Sequence, residues 1–284
     1  MCIPGLVWLI AINIIPMSGI LIAFENFKPK RGIFGSQWIG WENFEYMFSM
    51  RDVRGVIANT FIIAIGKIIL NLVVPLVFAL LLNEVRNLKF KKTVQTIVYL
   101  PHFISWVVLA SIVTNMFSND GLINHFAALF GLSKRIYLSD ELFFRWLIIL
   151  SDTWKEFGYG AVIYFAALAG IDPTLYEAAA IDGAGHWKQT IYITLPSLSN
   201  TIILLTTLAL GNVLQAGFDQ VFNMYNPLVY STVDIIDTWV YRIGLTKLQF
   251  SLATTVGLFK SVVSFVLIVL SYILAKKLTD YSIF

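Results

Sequence analysis

The stretch Asp172-Pro173-Thr174-Leu175-Tyr176-Glu177-Ala178-Ala179-Ala180-Ile181-Asp182-Gly183-Ala184-Gly185, closed by Ile193-Thr194-Leu195-Pro196, decides how the rest of the chain is understood. Asp172 can accept the first amide hydrogens of a helix, and Pro173 suits a first turn where no amide bond is lost. The alanines continue that helix cheaply. Gly183 permits a turn that a β-carbon resists, and Pro196 fits the first turn of a following helix. The stretch predicts a short helix, a sharp bend, a second short helix and entry into a longer one. Small side chains on an exposed helix invite close approach by another protein. An ordinary hairpin between two helices has the same local chemistry.

What flanks this stretch is apolar. The 284 residues are 58% hydrophobic and 13% charged, with a mean hydropathy of +0.76. Soluble domains carry about 25% charged residues to solvate their surface, so most of this surface faces something other than water. A bilayer-crossing helix needs about 20 mostly apolar residues. Six stretches qualify, near 3–24, 57–83, 96–117, 145–169, 196–216 and 253–275, which predicts one all-α integral membrane domain over 1–284. The quoted stretch, 172–196, joins the fourth span to the fifth. The first span lacks a basic n-region and a cleavage site, so it is expected to be retained rather than removed as a signal peptide.

Arg86, Lys89, Lys91 and Lys92 crowd the 84–95 connection, and Lys276 and Lys277 lie in the tail. The positive-inside rule then puts both termini in the cytoplasm of a multi-pass protein of the cell membrane. Lys28, Lys30, Arg31, Lys134 and Arg135 on the opposite side weaken that bias. Segments 25–56, 118–144 and 217–252 face outward on this reading. A net charge of +3 without a long basic run gives no support to nucleic-acid binding. One cysteine, Cys2, excludes a disulfide within the chain, and His102, His125 and His186 are too scattered to predict a metal site. His102, between Pro101 and Phe103, suits a structural role better than a ligand role.

The pattern Glu177-Ala178-Ala179, three residues, Gly183, nine residues, Ile193-x-Leu195-Pro196 resembles the EAA loop of binding-protein-dependent ABC importer permeases, at full spacing. Asn59-Thr60, Asn83-Glu84-Val85, Tyr99-Leu100-Pro101-His102-Phe103-Ile104-Ser105-Trp106, Gly217-Phe218-Asp219-Gln220 and Gly40-Trp41-Glu42-Asn43-Phe44 are similar to the carbohydrate branch. Within it the chain looks like the LplB-type permeases of complex oligosaccharide uptake. The likeness covers essentially the whole length, except that the usual leading basic residues are missing. The resemblance implies the six-helix, MetI-like architecture of type I importers. It also implies a second homologous permease, two copies of an ABC ATPase, and an extracellular solute-binding lipoprotein or periplasmic protein that delivers an oligosaccharide. Glu177, Ala178, Ala179, Asp182 and Gly183 would be the ATPase-docking residues, and transport would proceed by alternating access. ATP and magnesium would be bound by the ATPase, with no cofactor in this chain.

The sequence itself supplies no engine. It has no G-x-x-x-x-G-K-[ST] phosphate loop, since no glycine lies five residues before Gly66-Lys67, and no G-x-S-x-G elbow. No catalytic residue is therefore expected. Polar groups within spans are costly and face protein or water. Asp152, Lys155 and Tyr159 share one helical face of the fourth span. Lys155 lies about 15 Å from Arg145 along the helix, near mid-membrane. It is either a substrate contact, half of an internal ion pair with Asp152 or Glu156, or part of an interface with a partner permease. Asn212, Gln215 and Asp219 share a face of the fifth span, near Phe218 and Phe222. Amides, carboxylates and aromatic rings suit a sugar, and equally suit helix–helix hydrogen bonds. Asn212 and Gln215 are the preferred substrate contacts, then Lys155 and Tyr159, then Asp219. Lys67 and Asn71 could line the same cavity or satisfy a neighbour's carbonyls, and Glu84 suits an interfacial cap. Alternative cargoes are an amino acid, a phosphonate or glycerol phosphate. An ion-coupled secondary transporter would need an internal inverted repeat, which is not evident. An intramembrane enzyme would have only Asp152 with Lys155 as its pair.

Overall fold

The computed structural model describes residues 2–278, with side chains through Ile273. The side chains of Lys276 and Lys277, assigned above to a cytoplasmic tail, lie outside the described residues. Helix α1 (Ile3–Phe24) is interrupted by Pro16, which lacks an amide hydrogen and crowds the carbonyl four residues back. The backbone answers by widening to π geometry over Ile10–Ile14 and tightening to 3₁₀ geometry over Ile15–Phe24. Ile3, Leu6, Val7 and Trp8 in its first half are bare.

An antiparallel ribbon, β1 (Glu25–Asn26) with β2 (Gln37–Trp38), follows, with Glu25 opposite Trp38. This ribbon is the one departure from the all-helical expectation among the described residues. Then come α2 (Glu42–Ser49), the long α3 (Arg51–Asn83), α4 (Leu88–Phe103) and α5 (Trp106–Met116). The last two form one broken span, bent by 101° where Ser105 caps the second half. After α6 (Leu122–Leu129), Asp140 caps α7 (Glu141–Ala169) by accepting from the Phe143 amide at 3.0 Å.

The quoted loop forms α8 (Pro173–Ile181) and leads into α9 (His186–Ser197) and α10 (Ser199–Gly211), which are bent by 55° from each other. Pro196 cannot donate to the Tyr192 carbonyl, and the helix widens to π geometry over Thr190–Thr194 before the bend. The short α11 (Phe218–Met224), α12 (Tyr230–Val233) and α13 (Ile236–Tyr241) precede the final α14 (Phe250–Leu278).

Three of these helices are long and apolar enough to cross a membrane, or five when each bent pair counts as one span. Helix α7, at 29 residues, has the length to cross but carries Arg145, Asp152, Lys155 and Glu156. The second to fourth spans begin earlier than hydropathy alone suggests, because their polar first turns are helical too. The fifth ends early: helix α10 stops at Gly211, and Asn212–Gly217 is not helical.

Helices α3 and α7 run side by side in the same direction and bury Ile63, Ala64, Phe144, Ile148 and Ile149 between them. Small residues allow the close approach. A β-carbon at Gly66 would sit 2.8 Å from Ile149 Cδ1, and one at Gly158 would sit 2.3 Å from the Val98 carbonyl of α4. Val213, Leu214 and Ala216 tuck under the same core, so the non-helical segment is folded into the interior rather than looped out.

Candidate functional site

At one end of the bundle the α8 loop is built as its sequence predicts. The Asp172 carboxylate accepts from the Thr174 amide at 2.9 Å, and that hydrogen bond holds its carboxyl below the usual carboxylate range. Gly183 sits at φ +74°. Its amide donates to Ala180 O at 3.1 Å and that of Ala184 to Ala179 O at 2.9 Å, the paired bonds that close a helix with glycine just past its end. Tyr176 and Thr194 join hydroxyls at 2.9 Å, which folds α8 onto α9. Glu177, Ala178, Asp182 and Gly183 are exposed and Ala179 is half-buried. Ile181 is 87% exposed and Trp187 77%, so the loop ends in bare apolar side chains beside bare alanines. Glu84, at the end of α3, lies 3.5 Å from His186.

Nearer the middle of the bundle, a cavity of about 330 Å³ lies among α3, α7 and the end of α10, a size within the range of small-ligand pockets. Its polar wall is Lys67 and Asn71 of α3, Asp152 of α7, and Asn212 and Gln215 of the non-helical segment. Lys67 Nζ and Asp152 Oδ1 are 3.1 Å apart, and Asn71 donates to Asp152 Oδ2 at 3.0 Å. Asn71 Oδ1 is buried without a partner. Pro75 also has no amide hydrogen to give the Asn71 carbonyl. The wall therefore offers the Asp152 carboxylate, braced by Asn71, beside the exposed amides Asn212 and Gln215, a mixture that suits hydroxyl groups.

A second cluster braces the broken span. Lys155 Nζ donates to His102 O at 2.7 Å and to Glu156 Oε1 at 2.9 Å, and His102 Nδ1 lies 2.6 Å from Glu156 Oε2. The His102 ring stacks on Tyr159 at 4.1 Å, and Lys155 lies over Trp106 at 5.7 Å. Cation, carboxylate and imidazole together fasten the α4–α5 break to α7.

Residues 75–280 match the family described as the inner membrane component of binding-protein-dependent transport systems. The chain belongs to that family. It is 40% identical, over 100% of its length and 89% of the relative's, to the polygalacturonan/rhamnogalacturonan transport system permease protein YteP of Bacillus subtilis (strain 168). It is 41% identical to protein LplB of the same organism, over 99% of this chain and 89% of that one. Among solved structures, it superimposes with a TM-score of 0.89 on a chain of a bacterial ABC transporter that imports the acidic polysaccharide alginate. That match is at 35% identity and covers 97% of this chain and 93% of the other. The alginate transporter complexed with a pentasaccharide-bound periplasmic protein gives a TM-score of 0.90 at 33% identity, covering 100% and 95%. The chain is thus a membrane-embedded permease of an ABC importer, a transport subunit with the MetI-like helical fold.

In this permease the residues singled out from sequence fall into three places. Asn212 and Gln215 share the cavity with Lys67, Asn71 and Asp152. Their common helical face does not exist, because the helix ends at Gly211; the segment's fold onto α3 and α7 brings them together instead. Lys155 is buried in the brace, the internal pairing with Glu156 that the sequence left open, and Tyr159 stacks on its outer side. Asp219 is exposed, away from the cavity lining. Asp152, which the sequence offers as an ion-pair or catalytic partner of Lys155, pairs instead with Lys67. Gln220 stands in the sequence only as one letter of Gly217-Phe218-Asp219-Gln220. Gln220 is fully buried, and nothing in its sequence surroundings, which fall in a segment expected to face outward, singled it out.

Proposed function

We propose that this permease passes sugars or oligosaccharides through the cavity between α3, α7 and the segment after α10, powered by an ATPase that docks on α8. The observation that carries the reading is the continuous path of chain from one to the other. The exposed α8 loop leads through α9 and, across a 55° bend, α10 into Asn212 and Gln215 of the cavity's polar wall. Glu177, Ala178, Ala179, Asp182 and Gly183 would meet the ATPase. Ile181 and Trp187, bare in the isolated chain, are the apolar surface such a contact would cover. A second, homologous permease, two ATPase copies holding ATP and magnesium, and an extracellular binding protein that delivers the oligosaccharide complete the machine. Closure of the ATPases would move α8, and the cavity would alternate between outward and inward access. The basic 84–95 connection and the α8 loop would then be cytoplasmic together with both termini.

The cargo reading rests on the hydroxyl-matching chemistry of Asp152, Asn212 and Gln215. A permease for sn-glycerol-3-phosphate, UgpA of Salmonella typhi, is 30% identical over 77% of this chain. Against a phosphate cargo here, Lys67 faces Asp152 and Lys155 faces Glu156, so neither cation is uncompensated.

The test is sugar-stimulated ATP hydrolysis by the reconstituted complex, with the native chain compared with Gly183→Asp and Glu177→Lys. Both changes should abolish stimulation while the complex still assembles. Stimulation that survives both in an assembled complex makes the α8 loop a plain hairpin and sinks the coupling mechanism.

A further inference from the structure

We infer that Lys67 is the latch of the cavity's non-helical wall, a positioning residue and not a cation for the cargo. The inference rests on the transport reading above and adds the element that fixes where the wall stands. A lysine ammonium has three hydrogens to donate. Here Ala216 O accepts one at 2.8 Å, Gln220 Oε1 accepts another in a very short contact, and Asp152 Oδ1 lies at 3.1 Å. The side chain is 8% exposed, so nothing is left over for a sugar hydroxyl. Two of those three partners belong to the segment after α10, and the third belongs to α7. From α3, Lys67 therefore ties the wall to both helices of the central pair.

Gln220 repeats the connection from the other side. Its amide nitrogen donates to Ile148 O at 2.7 Å and to Ser151 Oγ at 2.9 Å, both on α7. Gly217 fits the same arrangement. Its φ of +92° excludes ordinary residues, and a β-carbon there would lie 2.7 Å from Lys67 Nζ. Glycine alone meets both conditions here, the left-handed backbone and the ammonium in the space where a side chain would go.

The consequence is mechanical. Motion entering at α8 would pass through α9, across the 55° bend at Leu198 and along α10, and helix ends at Gly211. The chain is pinned again from Ala216 to Gln220. Asn212–Gln215 lies between the end of α10 and this anchor; Val213 and Leu214 are packed into the core, while Asn212 and Gln215 carry the two exposed amides of the cavity. The latch thus concentrates the displacement of α10 on the residues that hold the cargo.

A bare ion pair predicts something different from a latch, which makes the idea testable. The reconstituted complex is prepared with Lys67→Met, Asp152→Leu, both together, and Gln220→Leu. Hydrogen exchange is followed at the amides of 212–220 alongside transport. If Lys67 serves only to neutralise Asp152, the double variant leaves no unpaired charge and returns to native exchange. The latch predicts that the double variant and Gln220→Leu both exchange about tenfold faster or more over 212–220. Gln220→Leu, which leaves the cavity's own groups in place, is also expected to lose the coupling of ATP hydrolysis to transport. Native exchange in the double variant overturns the latch, and so does native exchange in Gln220→Leu, which keeps the ion pair and decides alone if the Lys67 variants do not assemble. Exchange needs no cargo. A native complex without sugar stimulation therefore sinks the sugar reading and leaves the latch to be judged on exchange.

Discussion

Gly183 and Gly217 both turn the chain in left-handed backbone, at φ of +74° and +92°, yet they do so for opposite reasons. Around Gly183 a β-carbon would meet nothing within 4 Å, and its turn is closed by its own helix, through Ala179 and Ala180. Around Gly217 a β-carbon would strike the ammonium of Lys67, which comes from a helix 150 residues earlier (217 minus 67). One bend is made locally and left open for something outside the chain. The other is made by tertiary contacts and closed. A surface that another protein must approach has to fold from its own short-range rules, whereas a wall inside the bundle can borrow its shape from its neighbours.

The contrast breaks most readily at Gly217. Gly217→Ala strains the backbone by about 1–2 kcal/mol, and it also pushes Lys67 away from Asp152. Nζ is the end of a flexible side chain that can move aside, so its lost hydrogen bonds, about 1 kcal/mol each, add to the strain, and the sum is a clear loss of assembled, thermostable complex. Gly183→Ala bears only the backbone strain, about 1 kcal/mol, and should assemble near normally. Thermal unfolding of the two purified variants measures this directly. Equal destabilisation at the two positions would mean that the open and closed bends are not different in kind.

The same contrast explains what was legible in the sequence. The Asp172 cap, the Pro173 first turn and the Gly183 stop are short-range devices, each readable from a handful of residues and each found in the structure. The long apolar runs likewise announced α1, α3 and α14. The cavity wall was not readable in that way. Asn212, Gln215 and Asp219 were grouped by the 3.6-residue period, and that period holds only in a helix. Helix α10 ends at Gly211: the Asn212 side-chain amide donates back to Leu208 O of the same helix at 3.1 Å, and the Ala216 carbonyl accepts from Lys67 of α3. Lys155 and Tyr159 fell to the same cause: a helical face says which way a side chain leaves its helix, not what meets it. His102, reached only through the α4–α5 break, takes Lys155 at its carbonyl and Tyr159 at its ring.

A sharper version of the comparison separates binding from coupling. Asn212→Leu and Gln215→Leu remove hydrogen-bonding groups from the cavity while leaving Lys67, Asp152 and Gln220 intact. A net hydrogen bond contributes about 1 kcal/mol. Each change should therefore raise the sugar concentration for half-maximal ATPase stimulation about fivefold, with the maximal rate little altered. Changes on α8 should do the reverse, lowering the maximal rate at an unchanged half-point. A Gln215 variant that lowers only the maximal rate would move that residue from the cargo to the machinery.

The smallest expected effect lies at the outer edge of the α8 loop, at the Asp172 cap. Its carboxyl is held below its ordinary value by the Thr174 amide. The folded pKa is depressed, so the charged cap contributes stability above the ordinary carboxylate value, and that contribution fades as the pH falls through the lowered one. Asp172→Asn keeps a capping oxygen without the charge. Followed by hydrogen exchange at the Thr174 amide in the assembled complex, the variant should exchange slightly faster than the native chain at neutral pH and converge with it under acid. The exposed position keeps the difference small, because salt and water screen a charge there and the macrodipole acts only over the first turn. A gap that widens on acidification has the wrong sign for a depressed carboxyl. It would mean that the start of α8 is held by something other than its own local chemistry, the property that sets this loop apart from the wall that Lys67 closes.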